Sequence, residues 1–205
     1  MLRIIAAGAA ILIGTAALSV AMVMPVDGGA ERVGPTVELS IPGGHGSAVS
    51  IGNGYFLTAA HVVASVKDGN ATIRFDDGTE MAGIEIMWAN TRYDVALFRM
   101  KGTKDIEARS IQCVDPKVGD WVTSEGNPIS INDVTTYGRV ASAPQELGHW
   151  ASAFNMTAMV SPGMSGGPVF NEAGEIVGIN VGMGQGMPLY LAVPGSVICH
   201  LMGRA

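Results

Sequence analysis

The sequence has few charged residues and no run of lysines or arginines. Charged residues make up 15% of the 205 residues, and the formal net charge is -6. Because phosphate binding requires a basic surface, nucleic acid is not an expected partner. Helical periodicity is nearly absent, whereas there are 28 glycines and 10 prolines. This balance favours short strands joined by tight turns.

Cysteine is also scarce, because Cys113 and Cys199 are the two that the sequence contains. Two cysteines are too few for a disulfide framework, and their spacing does not suit a zinc site. In an oxidising compartment they would form one bridge, which would stabilise the fold by about 4 kcal/mol. The alternative is a pair of buried free thiols. No metal site or phosphate-binding loop emerges, so no cofactor is expected.

The N-terminal residues form the longest uncharged stretch, which runs from Ile4 to Met24 after Arg3. As a helix it would span about 30 Å, the thickness of a bilayer core. Ser19-Val20-Ala21 offers the small-x-small pattern of a signal-peptidase site, with Met22 as the new first residue. Residues 1–25 are therefore a signal peptide or an N-terminal membrane anchor. Both alternatives export the remaining chain, which would be periplasmic or secreted.

The rest of the chain is expected to form one all-β domain over residues 46–205, after a lead-in at 26–45. Short apolar runs recur at about ten-residue spacing, and a polar stretch near Lys101–Ser110 divides them into two sets. Two such sets indicate two packed barrels or a sandwich, with the first barrel over about 46–105 and the second over about 111–195. A short helix is predicted at Ser196–Met202.

One glycine-rich string contains a candidate nucleophile, Ser165, followed by Gly166 and Gly167. A serine hydroxyl becomes a nucleophile when a base takes its proton and donors stabilise the oxyanion that forms. Glycines on both sides allow a sharp turn that presents amide N–H groups to a cleft. The expected oxyanion-hole donors are the N–H groups of Gly163 and Ser165. The alternative for this string alone is a structural turn between strands.

Two residues that lie earlier in the chain would complete a triad with this serine. His61 ends an apolar strand, and Asp94 directly precedes another. In that order, Asp94 would orient His61, His61 would accept the proton of Ser165, and Ser165 would attack a carbonyl. Taken singly, the histidine is more typical of a core residue and the aspartate of a strand end.

These segments resemble the triad motifs of chymotrypsin-fold serine proteases, and most closely those of the bacterial HtrA/Deg type. The resemblance covers roughly residues 46–202 and includes further motifs: Asp77-Gly78-Thr79-Glu80, Val118-Gly119-Asp120, Gly126-Asn127-Pro128, Gly174-Glu175-Ile176-Val177-Gly178 and Leu191-Ala192-Val193-Pro194. It implies two perpendicular six-stranded antiparallel β-barrels with the triad between them. It also implies polypeptide substrates and either a monomer or a homotrimer.

Three departures from the family pattern bear on activity. Val181 stands where relatives usually place a hydroxyl against the catalytic aspartate, so Asp94 is expected to depend on backbone N–H groups near Ala60 and His61. Met164 precedes the nucleophile, where an aspartate of digestive relatives pairs with a new N-terminus. The chain ends at Ala205, so no peptide-binding PDZ domain is expected within it.

The same mapping predicts an apolar substrate pocket that contains no carboxylate for Lys or Arg and no histidine for Glu. A small or medium aliphatic side chain before the scissile bond is therefore expected, with modest discrimination of about 1–3 kcal/mol per methylene. The predicted pocket residues are Met159, Val160, Val181, Gly182 and Met183.

Two other functions are alternatives to a serine endopeptidase. The string around Ser165 also fits the nucleophile elbow of α/β-hydrolases. That fold requires the order serine, acid, histidine, and only His200 follows Ser165, near the end of the chain. The second alternative is a catalytically weak or inactive protease fold that serves as a binding or chaperone-like module, which the valine at position 181 would permit.

Overall fold

Two antiparallel sheets of seven strands each make up most of the computed structural model, which describes residues 33–129, 131–184 and 189–203. The described residues belong to one structural unit. The predicted all-β fold is confirmed. Each sheet has one strand more than expected, because short exposed strands extend the sheets at their edges.

The first sheet is formed by the N-terminal half, and its strands lie in the spatial order β5-β4-β1-β2-β3-β7-β6. Hydrogen bonds from Gly83 N to Ala71 O and from Ile84 N to Gly69 O join the start of β6 to the segment before β4. They close this sheet into the first barrel. Its elements are β1 (Thr36–Ile41), β2 (Gly44–Gly52), β3 (Tyr55–Thr58), the short helix α1 (Ala60–Val63), β4 (Thr72–Arg74), β5 (Glu80–Ala82), β6 (Ile84–Asn90) and β7 (Val95–Met100).

The second sheet follows the same plan, in the spatial order β10-β11-β14-β13-β12-β8-β9. An isolated bridge between Val140 and Met156 joins its two sides and closes it into the second barrel. Its elements are β8 (Trp121–Gly126), β9 (Val134–Arg139), β10 (Gln145–Leu147), β11 (Trp150–Met156), β12 (Pro168–Phe170), β13 (Ile176–Met183), β14 (Tyr190–Pro194) and the helix α2 (Gly195–Leu201). The predicted C-terminal helix is thus present, one residue earlier than expected.

The core explains why these short strands stay together. Phe56 and Phe98 stack inside the first sheet with ring centroids 5.2 Å apart, and both are fully buried. The same apolar cluster continues into the second sheet through Ile179 and Val193, so the two sheets share packing. Burying a large apolar side chain stabilises the fold by about 1.5–3 kcal/mol, so this continuity holds the cleft between the sheets in place.

The expected lead-in at 26–45 differs from the structure in its described part, because this part contains β1. Val37 and Leu39 are fully buried on β1, which pairs with β2 and β4. Alternating buried residues make Thr36–Ile41 a strand of the first sheet despite the glycines and prolines around it. The expected leader at 1–25 lies outside the described residues. None of the described helices is both long and apolar enough to span a bilayer.

Candidate active site

His61 lies on α1, immediately after β3. Ala60, Val62 and Val63 are buried, whereas the side chain of His61 remains 49% exposed. The buried face of this short helix therefore fixes the backbone, and the imidazole stands at the edge of a cleft. The Gly52-Asn53-Gly54 turn, with φ values of 98°, 54° and 76°, forms the predicted hairpin between β2 and β3.

Asp94 precedes β7 and holds the imidazole from the buried side. Its backbone has φ +58°, and its side chain is 7% exposed. One carboxylate oxygen, Oδ1, accepts the backbone N–H of His61 at 2.8 Å, and Oδ2 lies 2.7 Å from His61 Nδ1. Because an ionised carboxylate can only accept, Nδ1 carries the proton and Nε2 keeps its lone pair. That tautomer is the one a general base requires.

Trp150 supplies a third donor to the same carboxylate. Its indole Nε1 lies 3.2 Å from Asp94 Oδ2. The sequence predicts that backbone N–H groups near Ala60 and His61 support the aspartate. The His61 N–H does so, and the indole N–H adds a contact that no local motif indicated.

Ser165 stands in a turn between β11 and β12 that glycines make possible. Gly163 has φ +98° and Gly166 has φ +86°. A Cβ on Gly166 would collide with Ser47 O and Thr58 Oγ1. The turn is held by hydrogen bonds from Ser47 N to Ser165 O at 2.8 Å and from Gly166 N to the Asn180 carbonyl at 2.7 Å. Both barrels therefore fix this turn.

Within the described part of the chain, the N–H groups of Gly163 and Ser165 donate to no protein acceptor. The Pro162 carbonyl is occupied, because it accepts the N–H of Ile129 at 3.1 Å. Since C=O and N–H point in opposite directions across a trans peptide, this bond turns the Gly163 N–H away from Ile129. The arrangement leaves two neighbouring amide donors without a competing acceptor.

The Ser165 turn packs against the segment that carries His61. A Cβ on Gly46 would lie 3.1 Å from Ser165 O and 2.6 Å from Val62 Cγ1, so these groups enclose a space that only glycine fits. Among the described residues, no hydrogen bond joins Ser165 Oγ to His61. Catalytic hydrogen bonds are often long or poorly aligned before substrate binds, so the lack of this hydrogen bond is compatible with catalysis.

The cleft beside His61 and Asp94 is lined mainly by apolar groups. The structure brings Val181, Gly182 and Met183 into this cleft together with His61 and Asp94. Val181 is the extra residue of a bulge between β13 and β14, which aims it differently from its neighbours.

The other two predicted pocket residues do not line the cleft in its described part. Met159 is 57% exposed, and its carbonyl accepts the Thr136 hydroxyl at 2.7 Å. Val160 is buried in the core of the second barrel. Residues 185–188, which follow β13, lie outside the described residues.

Two polar residues outside the predicted set of site residues support the Ser165 turn. Ser47 is fully buried, and its Oγ donates to Gly163 O at 2.8 Å. His45, which lies in β2, has its Nε2 3.0 Å from Asn127 O. A Cβ on Gly163 would lie 2.6 Å from that nitrogen, so the imidazole lies against the turn. No sequence pattern distinguished Ser47, because its strand also contains His45 and Ser50.

Cys113 and Cys199 are joined by a disulfide with Cα atoms 5.5 Å apart. The bridge ties α2 to the segment that precedes β8. The described residues contain no cluster of three or more His, Cys, Asp or Glu side chains that could hold a metal ion.

Comparisons with known proteins agree with this geometry. A family model described as the trypsin-like peptidase domain matches residues 46–179. A probable periplasmic serine endoprotease, DegP-like, from Rhizobium meliloti is 32% identical over 177 residues, which is 82% of this chain and 34% of the relative. Its counterpart from Brucella suis is 33% identical over 178 residues, with the same coverage. The chain thus spans about a third of the length of these curated relatives.

Solved structures share the fold. An HtrA-type protease, AlgW, with a tripeptide superposes with a TM-score of 0.72 at 23% identity, covering 82% of this chain and 59% of that one. A serine endoprotease from Yersinia pestis gives 0.71 at 23% identity, covering 84% and 63%. Together, the matches confirm the resemblance that the motifs indicated.

Proposed function

The chain belongs to the trypsin-like peptidase family, and we propose that it is a serine endopeptidase that hydrolyses polypeptides through an acyl-enzyme. The observation that carries the proposal is the pairing of His61 Nδ1 with Asp94 Oδ2 at 2.7 Å in an apolar cleft, on a segment that packs against the Ser165 turn. This pairing leaves Nε2 free to act as a base.

In the proposed reaction, Ser165 Oγ attacks the substrate carbonyl while His61 Nε2 takes the hydroxyl proton. Asp94 stays ionised and stabilises the imidazolium. The imidazolium then protonates the leaving amine as the peptide bond breaks. A water molecule repeats the sequence on the ester, with His61 again as the base, and releases the second product.

The oxyanion formed in both steps would be held by the N–H groups of Gly163 and Ser165. Both donors are free of protein acceptors in the described residues, and the peptide between Pro162 and Gly163 is held by Ile129. Such donors need no rearrangement as charge develops, and removing one typically costs about 3 kcal/mol of transition-state stabilisation.

The proposed specificity is for a small or medium aliphatic residue before the scissile bond. Val181, Gly182 and Met183 support it, since they give the cleft an apolar wall near the triad. The other two predicted pocket residues, Met159 and Val160, do not line the described part of this cleft, so the proposed specificity rests on the first three. A peptide-library profile dominated by Arg, Lys or Glu at this position would contradict this specificity.

The proposed location is outside the cytoplasm, in the periplasm or beyond it. The relatives from Rhizobium and Brucella are described as periplasmic, and the disulfide suits an oxidising compartment. Mass spectrometry of the exported protein distinguishes a leader cleaved before Met22 from a retained anchor.

The alternative is an inactive protease fold that binds polypeptides. One observation favours it, namely that no hydrogen bond joins Ser165 Oγ to His61 in the described residues. Cleavage of an unfolded polypeptide separates the two functions. We expect fragments with the wild-type protein and none with Ser165→Ala. Binding of that polypeptide without cleavage by the wild-type protein would favour the alternative.

A further inference from the structure

Trp150 occupies a position that ties the second barrel to the acidic member of the triad. It is the first residue of β11 and pairs with Leu147 of β10. The next residue, Ala151, donates its N–H to the Arg92 carbonyl at 3.1 Å, two positions before Asp94. The start of β11 is therefore fastened to the turn that carries the aspartate.

The indole ring fits a space that the neighbouring strand leaves open. A Cβ on Gly182 would lie 3.0 Å from both Cζ2 and Cη2 of Trp150, so a side chain there would press on the ring. His149 stacks on the indole with ring centroids 3.8 Å apart and a tilt of 36°. Contacts with both neighbours limit the rotation of the ring.

The direction of the hydrogen bond between this ring and Asp94 is fixed, because only one of the two groups can donate. An indole N–H can only donate, and it carries no charge at any working pH. It reaches Oδ2, the oxygen that also pairs with His61 Nδ1. The bond therefore restricts the rotation of the carboxylate. Val181, in the same cleft, has no polar atom on its side chain that could do this.

We propose that Trp150 is a positioning residue of the triad, whose indole N–H holds the Asp94 carboxylate in the orientation that fixes the His61 tautomer. It supplies the donor that Val181 lacks. The inference rests on the proposed endopeptidase function, because its kinetic consequence is visible only in an active enzyme.

The kinetic experiment uses Trp150→Phe, which keeps an aromatic ring and removes the donor. Hydrogen bonds to charged groups are among the stronger ones, so we expect kcat to fall about 10-fold with KM within about twofold of wild type. Adding Val181→Thr should restore most of the loss, because residue 181 lines the same cleft as Asp94 and would bring a hydroxyl there. The matched control is Trp121→Phe on β8, an exposed tryptophan in a different surface pocket, which should leave kcat unchanged. The proposal would be overturned if Trp150→Phe had the same kcat as the wild type, or if the substitution changed only KM.

A second readout does not depend on hydrolysis. In the NMR spectrum of ¹⁵N-labelled protein, Asp94→Asn should move the indole Hε1 resonance of Trp150, and Trp150→Phe should shift or broaden the Hδ1 resonance of His61. The proposal is overturned if the Trp150 Hε1 resonance does not move in Asp94→Asn. It is also overturned if Trp150→Phe lowers kcat but leaves the His61 Hδ1 resonance unchanged. A wild-type protein that cleaves nothing would refute the endopeptidase function instead, and the resonances would still decide the role of Trp150.

Discussion

Ser47 Oγ donates a hydrogen bond to the carbonyl oxygen of Gly163 at 2.8 Å. Ser47 Oγ also accepts the Asn127 N–H at 2.8 Å, and Ser47 is fully buried. Ser47 belongs to β2 of the first barrel, whereas Gly163 belongs to the turn of the proposed nucleophile. One hydroxyl thus joins the two barrels where the proposed oxyanion donor lies.

Ser47→Ala should weaken both the fold and the site. It leaves the Gly163 carbonyl without its donor and the Asn127 N–H without its acceptor, and an unsatisfied buried group costs about 1–3 kcal/mol. We expect denaturant unfolding to show a loss in that range and kcat to fall about 10-fold, since the Gly163 amide is displaced. The control is Ser50→Ala on the same strand, whose buried Oγ accepts a single long bond from Gly52 N at 3.4 Å. Equal effects of the two substitutions would contradict this account.

Gly166→Ala should be far more damaging than the same change at Gly43. Both glycines have positive φ, +86° and +89°, where an L residue pays about 1–2 kcal/mol. At Gly43 nothing lies within 4 Å of the added Cβ, so this strain should be the whole effect. At Gly166 the Cβ would also overlap Ser47 O and Thr58 Oγ1, and overpacking typically adds about 1–3 kcal/mol. Unfolding free energies of the two variants test the difference, and similar losses would refute the steric argument.

Acid should destabilise the protein partly through Asp77. Hydrogen bonds from Lys104 and then from Thr79 lower the pKa of Asp77 from its ordinary 3.8 to about 2. Because the folded-state pKa is depressed, this contribution is complete above about pH 4 and is lost as the pH falls towards 2. Asp77→Asn should therefore lose less stability than wild type between pH 5 and pH 2 in thermal unfolding. Asp68→Asn, a change at an exposed aspartate without a hydrogen-bond partner in the described residues, should follow wild type. Parallel curves for Asp77→Asn and wild type would contradict the prediction.

Reduction of the Cys113–Cys199 bridge should destabilise the fold. The two residues are 86 positions apart, and a loop of that size corresponds to about 4 kcal/mol in the chain-entropy model. We expect the free energy of unfolding in urea to fall by about this amount when a reductant is added. The free energy of unfolding of the Cys113→Ser/Cys199→Ser variant should not change with the reductant. Alkylation of both thiols in unreduced, denatured protein would show that no bridge forms.

The features that the sequence predicted are those that depend on neighbouring residues. The turn at Gly52-Asn53-Gly54 follows from residues that tolerate positive φ, and the strands with alternating or apolar runs follow from side-chain burial. By contrast, β5 and β10 are three-residue strands with mostly exposed side chains, so they lack a hydrophobic pattern. β1 was missed although Thr36–Ile41 alternates, because glycines and prolines before and after it favoured a loop.

The same distinction between local and distant contacts applies to the residues of the candidate site. His61, Asp94 and Ser165 stand in local motifs whose order is recognisable. Trp150 was missed because its role depends on contact with a residue 56 positions away, which only the fold of both barrels creates. Ser47 was missed for the same reason, since its partner Gly163 is 116 positions away.

The most direct test of the central claim is covalent labelling with a fluorophosphonate, followed by peptide mapping. Such a probe reacts with a serine that a neighbouring base activates and that an oxyanion hole supports. The account predicts one adduct per chain, located on Ser165 and not on Ser161, and no adduct in Ser165→Ala or His61→Ala. Folded wild-type protein that remains unlabelled at neutral pH, or that is labelled on another serine, would contradict it.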